Sequence, residues 1–172
     1  SPWPHSFNAK FNATPSRFSL ESAIMRVASS TVSLRADVAN YESPVVVADY
    51  RVNLHAPDLN AMSSLKAAGD VAVSGNMHYQ YDKNRPPLRS VVVTGVIESD
   101  ALFAASSSGR LEVRRLQGKY ELANGSFKTD GLKAELLDGQ VEANVHVRDL
   151  DRTPTSRVQA ALRNISLQAA QQ

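Results

Sequence analysis

The chain has 172 residues, 42% of them hydrophobic, 21% charged and 6% aromatic, enough to bury a core of its own. Its 19 basic and 17 acidic residues are interleaved, leaving a net charge of +2. The closest approach to a basic run, Arg110 to Lys119, is broken by Leu, Glu, Val and Gln, so nucleic acid is not an expected partner. The lack of cysteine excludes disulfide staples, thiolate metal sites and a cysteine nucleophile.

The sequence starts at Ser1 with no methionine, no signal h-region and no apolar run near the ~18 residues of a membrane span, and reads as an excised piece of a longer chain. Residues 1–17, with three prolines in the first sixteen positions, are expected as an extended arm or edge strand. Residues 18–172 read as one repetitive β domain. Thr31–Val38 places Val32, Leu34, Ala36 and Val38 on one face against Thr31, Ser33, Arg35 and Asp37, the period of two of a half-buried strand. Val47–His55 sets Ala48, Tyr50, Val52 and Leu54 against Asp49, Arg51, Asn53 and His55. One short helix is predicted over Asp58–Ala67, with Asp58 as N-cap and Leu59, Met62 and Leu65 on one stripe.

Asp70–Tyr81 follows as a strand, with Val71, Val73, Met77, Tyr79 and Tyr81 opposite Asp70, Ser74, Asn76, His78 and Gln80. Further strands are predicted at Leu88–Ile97, Leu102–Ala105, Gly109–Leu116, Lys119–Leu122, Ser126–Thr129, Leu132–Leu137, Val141–Val147 and Arg157–Leu162. Asn124-Gly125, Asp130-Gly131 and Asp138-Gly139 are tight-hairpin dipeptides, and Asp82 to Pro87 is a longer loop.

Catalytic chemistry is not indicated. Ser106-Ser107-Ser108-Gly109 lacks a G-x-S-x-G elbow and reads as a loop. The four histidines are scattered, and His55, His78 and His146 fall on the polar faces of separate strands, where they are read as solvent-facing rather than metal-ligating. Glu135, Asp138, Glu142, Asp149 and Asp151 gather near the C-terminal hairpins without an oxygen-ligand loop pattern and are read as a solvated rim. No metal or cofactor is expected.

Two stretches share one plan. T-V-S-L-R-A-D-V-A-N-Y-E-S-P from Thr31 and Q-V-E-A-N-V-H-V-R-D-L-D-R-T-P from Gln140 are each followed by another strand; Val32 and Val141 are 109 residues apart, Pro44 and Pro154 110. A reused strand–loop–strand unit favours an extended β-repeat over an enzyme with a unique pocket.

The run F-K-T-D-G-L-K-A-E-L-L-D-G-Q-V-E-A-N-V-H-V-R-D-L-D-R-T-P from Phe127, followed by R-V-Q-A-A-L-R-N-I-S-L, resembles the recurring segment of AsmA-like and TamB-like envelope proteins. The Thr31–Met62 unit and L-K-A-A-G-D-V-A-V-S-G-N from Leu65 resemble it too, so the likeness covers most of the chain from Phe18 onward. The resemblance implies a periplasmic segment of a parent anchored in the inner membrane, with a long curled sheet, a β-taco, whose groove serves lipid transport between inner and outer membrane or outer-membrane biogenesis. Implied partners are phospholipid acyl chains and outer-membrane assembly proteins.

The expected fold is therefore all-β, a mainly antiparallel extended curled sheet with an open groove. Its apolar, lipid-facing residues would be Val32, Leu34, Ala36, Val38, Tyr50, Val52, Leu54, Val71, Val73, Met77, Val91, Val93, Leu111, Val113, Val141, Ala143, Val145 and Val147. Many are small, which leaves a trough open. A closed β-sandwich has the same alternation and stands as the alternative. A carbohydrate- or surface-binding module would need a row of exposed aromatics, for which Trp3, Tyr79 and Tyr81 are the candidates. A slice of a longer sheet also has open edges, so edge-to-edge self-association is expected.

Overall fold

The computed structural model describes residues 5–61, 66–106, 109–136 and 138–164. It contains a single ten-stranded antiparallel sheet in which spatial order equals chain order, and which is not closed. The strands are β1 (His5–Ala13), β2 (Arg17–Val27), β3 (Ser30–Ala39), β4 (Val45–His55), β5 (Lys66–Gln80), β6 (Val91–Ser106), β7 (Gly109–Ala123), β8 (Ser126–Leu136), β9 (Gly139–Arg148) and β10 (Thr155–Arg163). Among the described residues, substantial contacts between strands run only between sheet neighbours, so no second layer packs on the sheet there and the sandwich alternative is not what forms. The accessible surface is 11871 Å2 for 18.7 kDa, against about 8,300 Å2 for a compact monomer of that mass. Among the described residues the buried apolar side chains are all alanines: Ala23, Ala48 and Ala56.

Regular alternation explains β3, β4 and β9, whose boundaries lie within two residues of those expected. Elsewhere bulges let strands run on. Leu88–Ile97 and Leu102–Ala105 are both drawn into β6, which starts at Val91 after a helical turn, α1 (Pro87–Ser90). The expected pairs Gly109–Leu116 with Lys119–Leu122, and Ser126–Thr129 with Leu132–Leu137, merge into β7 and β8. Asp130-Gly131 is therefore not a hairpin but lies inside β8 at a register shift, where Gly131 takes φ 60°. Such a positive φ at a bulge is what glycine permits, and each bulge adds local twist that helps to curl the sheet. Asn124-Gly125 does form the two-residue turn joining Ala123 to Ser126. Gly139 instead enters β9 opposite Leu136, with Asp138 at φ 59° in the preceding turn.

Two segments differ more. β1 occupies the edge within the expected N-terminal arm, and β2 fills a stretch in which no strand was expected, because an extra residue interrupts its alternation between Leu20 and Ala23. The expected helix at 58–67 is instead a 3-10 helix over Ala56–Ala61, and β5 begins at Lys66; Met62 and Leu65 lie outside the described residues. Asp58 does not cap an α-helix. Its carboxylate accepts from the Ser29 amide (3.0 Å) and the Ser30 hydroxyl (2.7 Å), tying the 3-10 helix to the β2–β3 turn. Those donors hold its carboxyl below the usual range, the Ser30 hydroxyl foremost.

Both copies of the repeated plan are hairpins, β3–β4 and β9–β10. Their loops open on a positive-φ residue, Asn40 (58°) and Asp149 (56°), and each starts with a turn, Ser43 N–H to the Asn40 carbonyl (3.1 Å) and Arg152 N–H to the Asp149 carbonyl (3.0 Å).

Candidate functional site

The pairing register carries one apolar face across all ten strands. Phe7, Met25, Val32, Val52, Val73, Ile97 and Gly118 stand in one row, and Phe11, Leu20, Ala36, Ala48, Met77, Val93, Leu122, Phe127 and Val147 in another. Val38 and Val91 belong to a third row through Val46 and Tyr79, and Leu54 pairs with Val71. On β9, Val141, Ala143 and Val145 share the face of Val147 and pair with Leu162, Ala160 and Val158.

Leu111 and Val113 reach the same face through a change of phase in β7. Arg114 pairs with Glu135 while Arg115, at φ 49°, ion-pairs with that same Glu135, so two consecutive arginines take the polar side. The phase then returns Val113 opposite Leu136 and Leu102, and Leu111 opposite Ala104. All eighteen residues read as a trough lining thus share one side of the sheet. Met25, Ile97, Tyr120, Leu122, Phe127, Val158 and Leu162 join them; the missed strand β2 hid Met25, the merged strands β6, β7 and β8 hid the phase of Ile97, Tyr120, Leu122 and Phe127, and Val158 and Leu162 lie on β10, which was expected as a strand but not assigned a face.

The opposite face is mainly polar and carries cross-strand ion pairs, with Ile24, Val47, Val92, Val96 and Phe103 as its larger apolar members. Lys10–Glu21 (2.5 Å), Arg17–Asp37 (2.8 Å) and Lys128–Glu121 (3.1 Å) cross between strands. His55 Nδ1 lies 2.7 Å from Asp70 Oδ1 on the neighbouring strand. Among the described residues no group of three His, Cys, Asp or Glu is placed to hold a metal ion. Of the candidate aromatics, Tyr79 lies in the apolar face between Val46 and Val91, Tyr81 is exposed beyond β5, and Trp3 lies outside the described residues.

At the middle of the trough, Leu34, Tyr50, Gly75, Gly95, Tyr120 and Thr129 form a single row. The Tyr50 and Tyr120 hydroxyls hydrogen-bond to each other across the two glycines. A Cβ at Gly75 would collide with the Thr94 carbonyl and with the Tyr50 hydroxyl, and one at Gly95 with the Ser74 carbonyl and the Tyr120 ring. Glycine is thus required twice for close approach. Burial, reinforced by the adjacent Tyr50 hydroxyl, pushes the Tyr120 phenol well above its usual range.

One end of the trough is tied by a clasp between loops that are not sheet neighbours. Arg89 of α1 donates from Nε to Asp151 Oδ2 (2.9 Å) and from Nη2 to Asp151 Oδ1 (3.2 Å), with Asp149 Oδ1 3.6 Å away. The β7–β8 turn lies between them: Gly125 donates its N–H to the Leu88 carbonyl (3.2 Å) and accepts from the Leu150 N–H (2.9 Å). With Glu135 on Arg115, three of the five carboxylates read as a solvated rim are therefore arginine partners, and the Asp151 side chain is only 10% exposed. The Arg89 hydrogen bonds hold the Asp151 carboxyl below the usual carboxylate range.

No known protein family, curated protein or solved structure matches the chain. The geometry of the trough is what the functional reading rests on.

Proposed function

We propose that the chain is a non-catalytic β-groove segment of AsmA/TamB-like type, which shields lipid acyl chains on their way between inner and outer membrane or assists outer-membrane assembly from the periplasm. The observation that carries this reading is the apolar face that the pairing register carries across the ten strands, with no second sheet on it among the described residues. Burying that face is worth about 0.8 kcal/mol per CH2 of an acyl chain laid on it. Its small and β-branched side chains leave space above the sheet, and the mainly polar, ion-paired back suits the other side to water. Native mass spectrometry of the chain purified from bacteria tests the reading: co-purified phospholipid, lost on delipidation and regained from vesicles, is the expected result. A chain that carries no lipid and takes none up from phospholipid vesicles contradicts it.

A further inference from the structure

The two outer strands complement one another. Successive strands are all antiparallel and their number is even, so β1 runs antiparallel to β10. A second copy placed beside the first in the same orientation therefore brings its β1 against β10 as the next antiparallel strand, with both apolar faces on the same side of the sheet. Among the described residues, β1 pairs with β2 alone and β10 with β9 alone, and every residue of β10 is exposed.

The side chains fit this docking in one register. On the apolar face β1 presents Phe7 (70% exposed), Ala9 and Phe11 (62%), and β10 presents Val158 (64%), Ala160 and Leu162 (63%). Both strands carry large–small–large at the same spacing of two residues. Setting Ala9 opposite Ala160 puts Phe7 against Leu162 and Phe11 against Val158, and overlaps the two nine-residue strands along nearly their whole length. On the polar face the same register sets Lys10 opposite Gln159, Asn12 opposite Arg157 and Ser6 opposite Arg163, with no like charges facing. Lys10 is already neutralised by Glu21 at 2.5 Å. Pairing β10 with another β10 about Ala160 would instead set Arg157 against Arg163.

We infer that copies of this chain associate head to tail, β1 of one on β10 of the next, prolonging both the sheet and its apolar trough. Such a heterologous contact leaves an open edge at each end and so grows with concentration rather than stopping at a dimer. The inference stands whether or not the trough carries lipid.

The chain contains no cysteine, so single substitutions report cleanly. Directly opposed Cα atoms lie about 4.5–5.5 Å apart, within disulfide reach. The test mixes an Ala9→Cys variant with an Ala160→Cys variant, each checked by circular dichroism against the parent, and oxidises the mixture. Mixed disulfides between the two variants are expected to outnumber disulfides within either variant by about tenfold, a preference of roughly 1.4 kcal/mol. Sedimentation of the unmodified chain should show a weight-average mass that rises continuously with concentration. A strict monomer up to millimolar concentration, or disulfides only between two copies of the same variant, overturns the inference. Sedimentation decides alone if a variant does not fold.

Discussion

The hydroxyls of Tyr50 on β4 and Tyr120 on β7 are hydrogen-bonded to each other although 70 residues and two whole strands separate them. Three strand spacings are about 14 Å, a gap that two tyrosine side chains close when they lie down end to end. They can lie down only because the two residues between them in the row are Gly75 and Gly95. The pair lies along the trough floor and braces β4 to β7, in a sheet whose apolar face has no other layer on it among the described residues.

Removing one hydroxyl, as in Tyr50→Phe or Tyr120→Phe, should cost about 1 kcal/mol. Gly95→Ala should cost more, about 1–3 kcal/mol, because its methyl group occupies the place of the Tyr120 ring. Urea denaturation compares the three. Equal losses for Gly95→Ala and for an exposed strand substitution such as Asn76→Ala would dissolve the brace.

Tyr120 also makes a prediction about alkaline pH. The fold favours the neutral phenol, so its value lies above the ordinary one of about 10. The stabilisation it gives is complete below pH 10 and lost as pH climbs from there through the folded value. Absorbance titration should show the Tyr120 phenol ionising late, together with unfolding, and Tyr120→Phe should remove that late step. A late step that Tyr120→Phe leaves in place, or no late step in the parent, would contradict the bridge.

The clasp makes the opposite prediction. The folded Asp151 carboxyl lies below its ordinary value of about 3.9. Its contribution is present above pH 4 and fades as pH falls through the folded value. Asp151→Asn should lower the melting temperature at pH 7 and flatten its fall between pH 5 and pH 2. Gly125→Ala should act at the same place, since φ 71° strains an L residue and its methyl carbon would lie 3.0 Å from Asp151 Oδ1. A melting curve of Asp151→Asn that tracks the parent at every pH would show the clasp to be idle.

Alternation made β3, β4, β5 and β9 readable, because a period of two with Val, Leu and Tyr on one side admits few other structures. The 109-residue repeat was readable for the same reason, and the six-residue β9–β10 loop accounts for the extra residue at Pro154. Bulges are what hid the rest. At Glu21–Ser22 the extra residue reverses the phase, so Phe18 and Leu20 do not align with Ala23 and Met25 in any single alternating window. Asp130-Gly131 has hairpin chemistry, yet tertiary pairing with β7 and β9 uses the glycine's positive φ for a bulge. The Tyr50–Tyr120 bridge left one trace, Gly75 and Gly95 within β-rich stretches, a mark of close approach that does not name the approaching groups. The head-to-tail fit of β1 on β10 could not be read without the register that defines which faces are shared.

Placing a carboxylate on the apolar face tests its character. Val145→Asp should destabilise the sheet by about 2 kcal/mol or more, as an unpaired charge meets apolar neighbours, whereas Asn144→Asp on the same strand should be near neutral. Thermal melts of the two variants decide it. Equal effects would mean that the two sides of β9 are not different environments.

Photo-crosslinking to lipid tests the central claim most directly. Crosslinkers at Val73 and Val145 stand on the apolar face, and those at the adjacent Ser74 and Asn144 on the polar one, of the same strands β5 and β9. Irradiated in cells, the first pair should capture phospholipid and the second should not. Capture at Ser74 and Asn144 equal to that at Val73 and Val145, or none at any of the four, would contradict a lipid-lined trough.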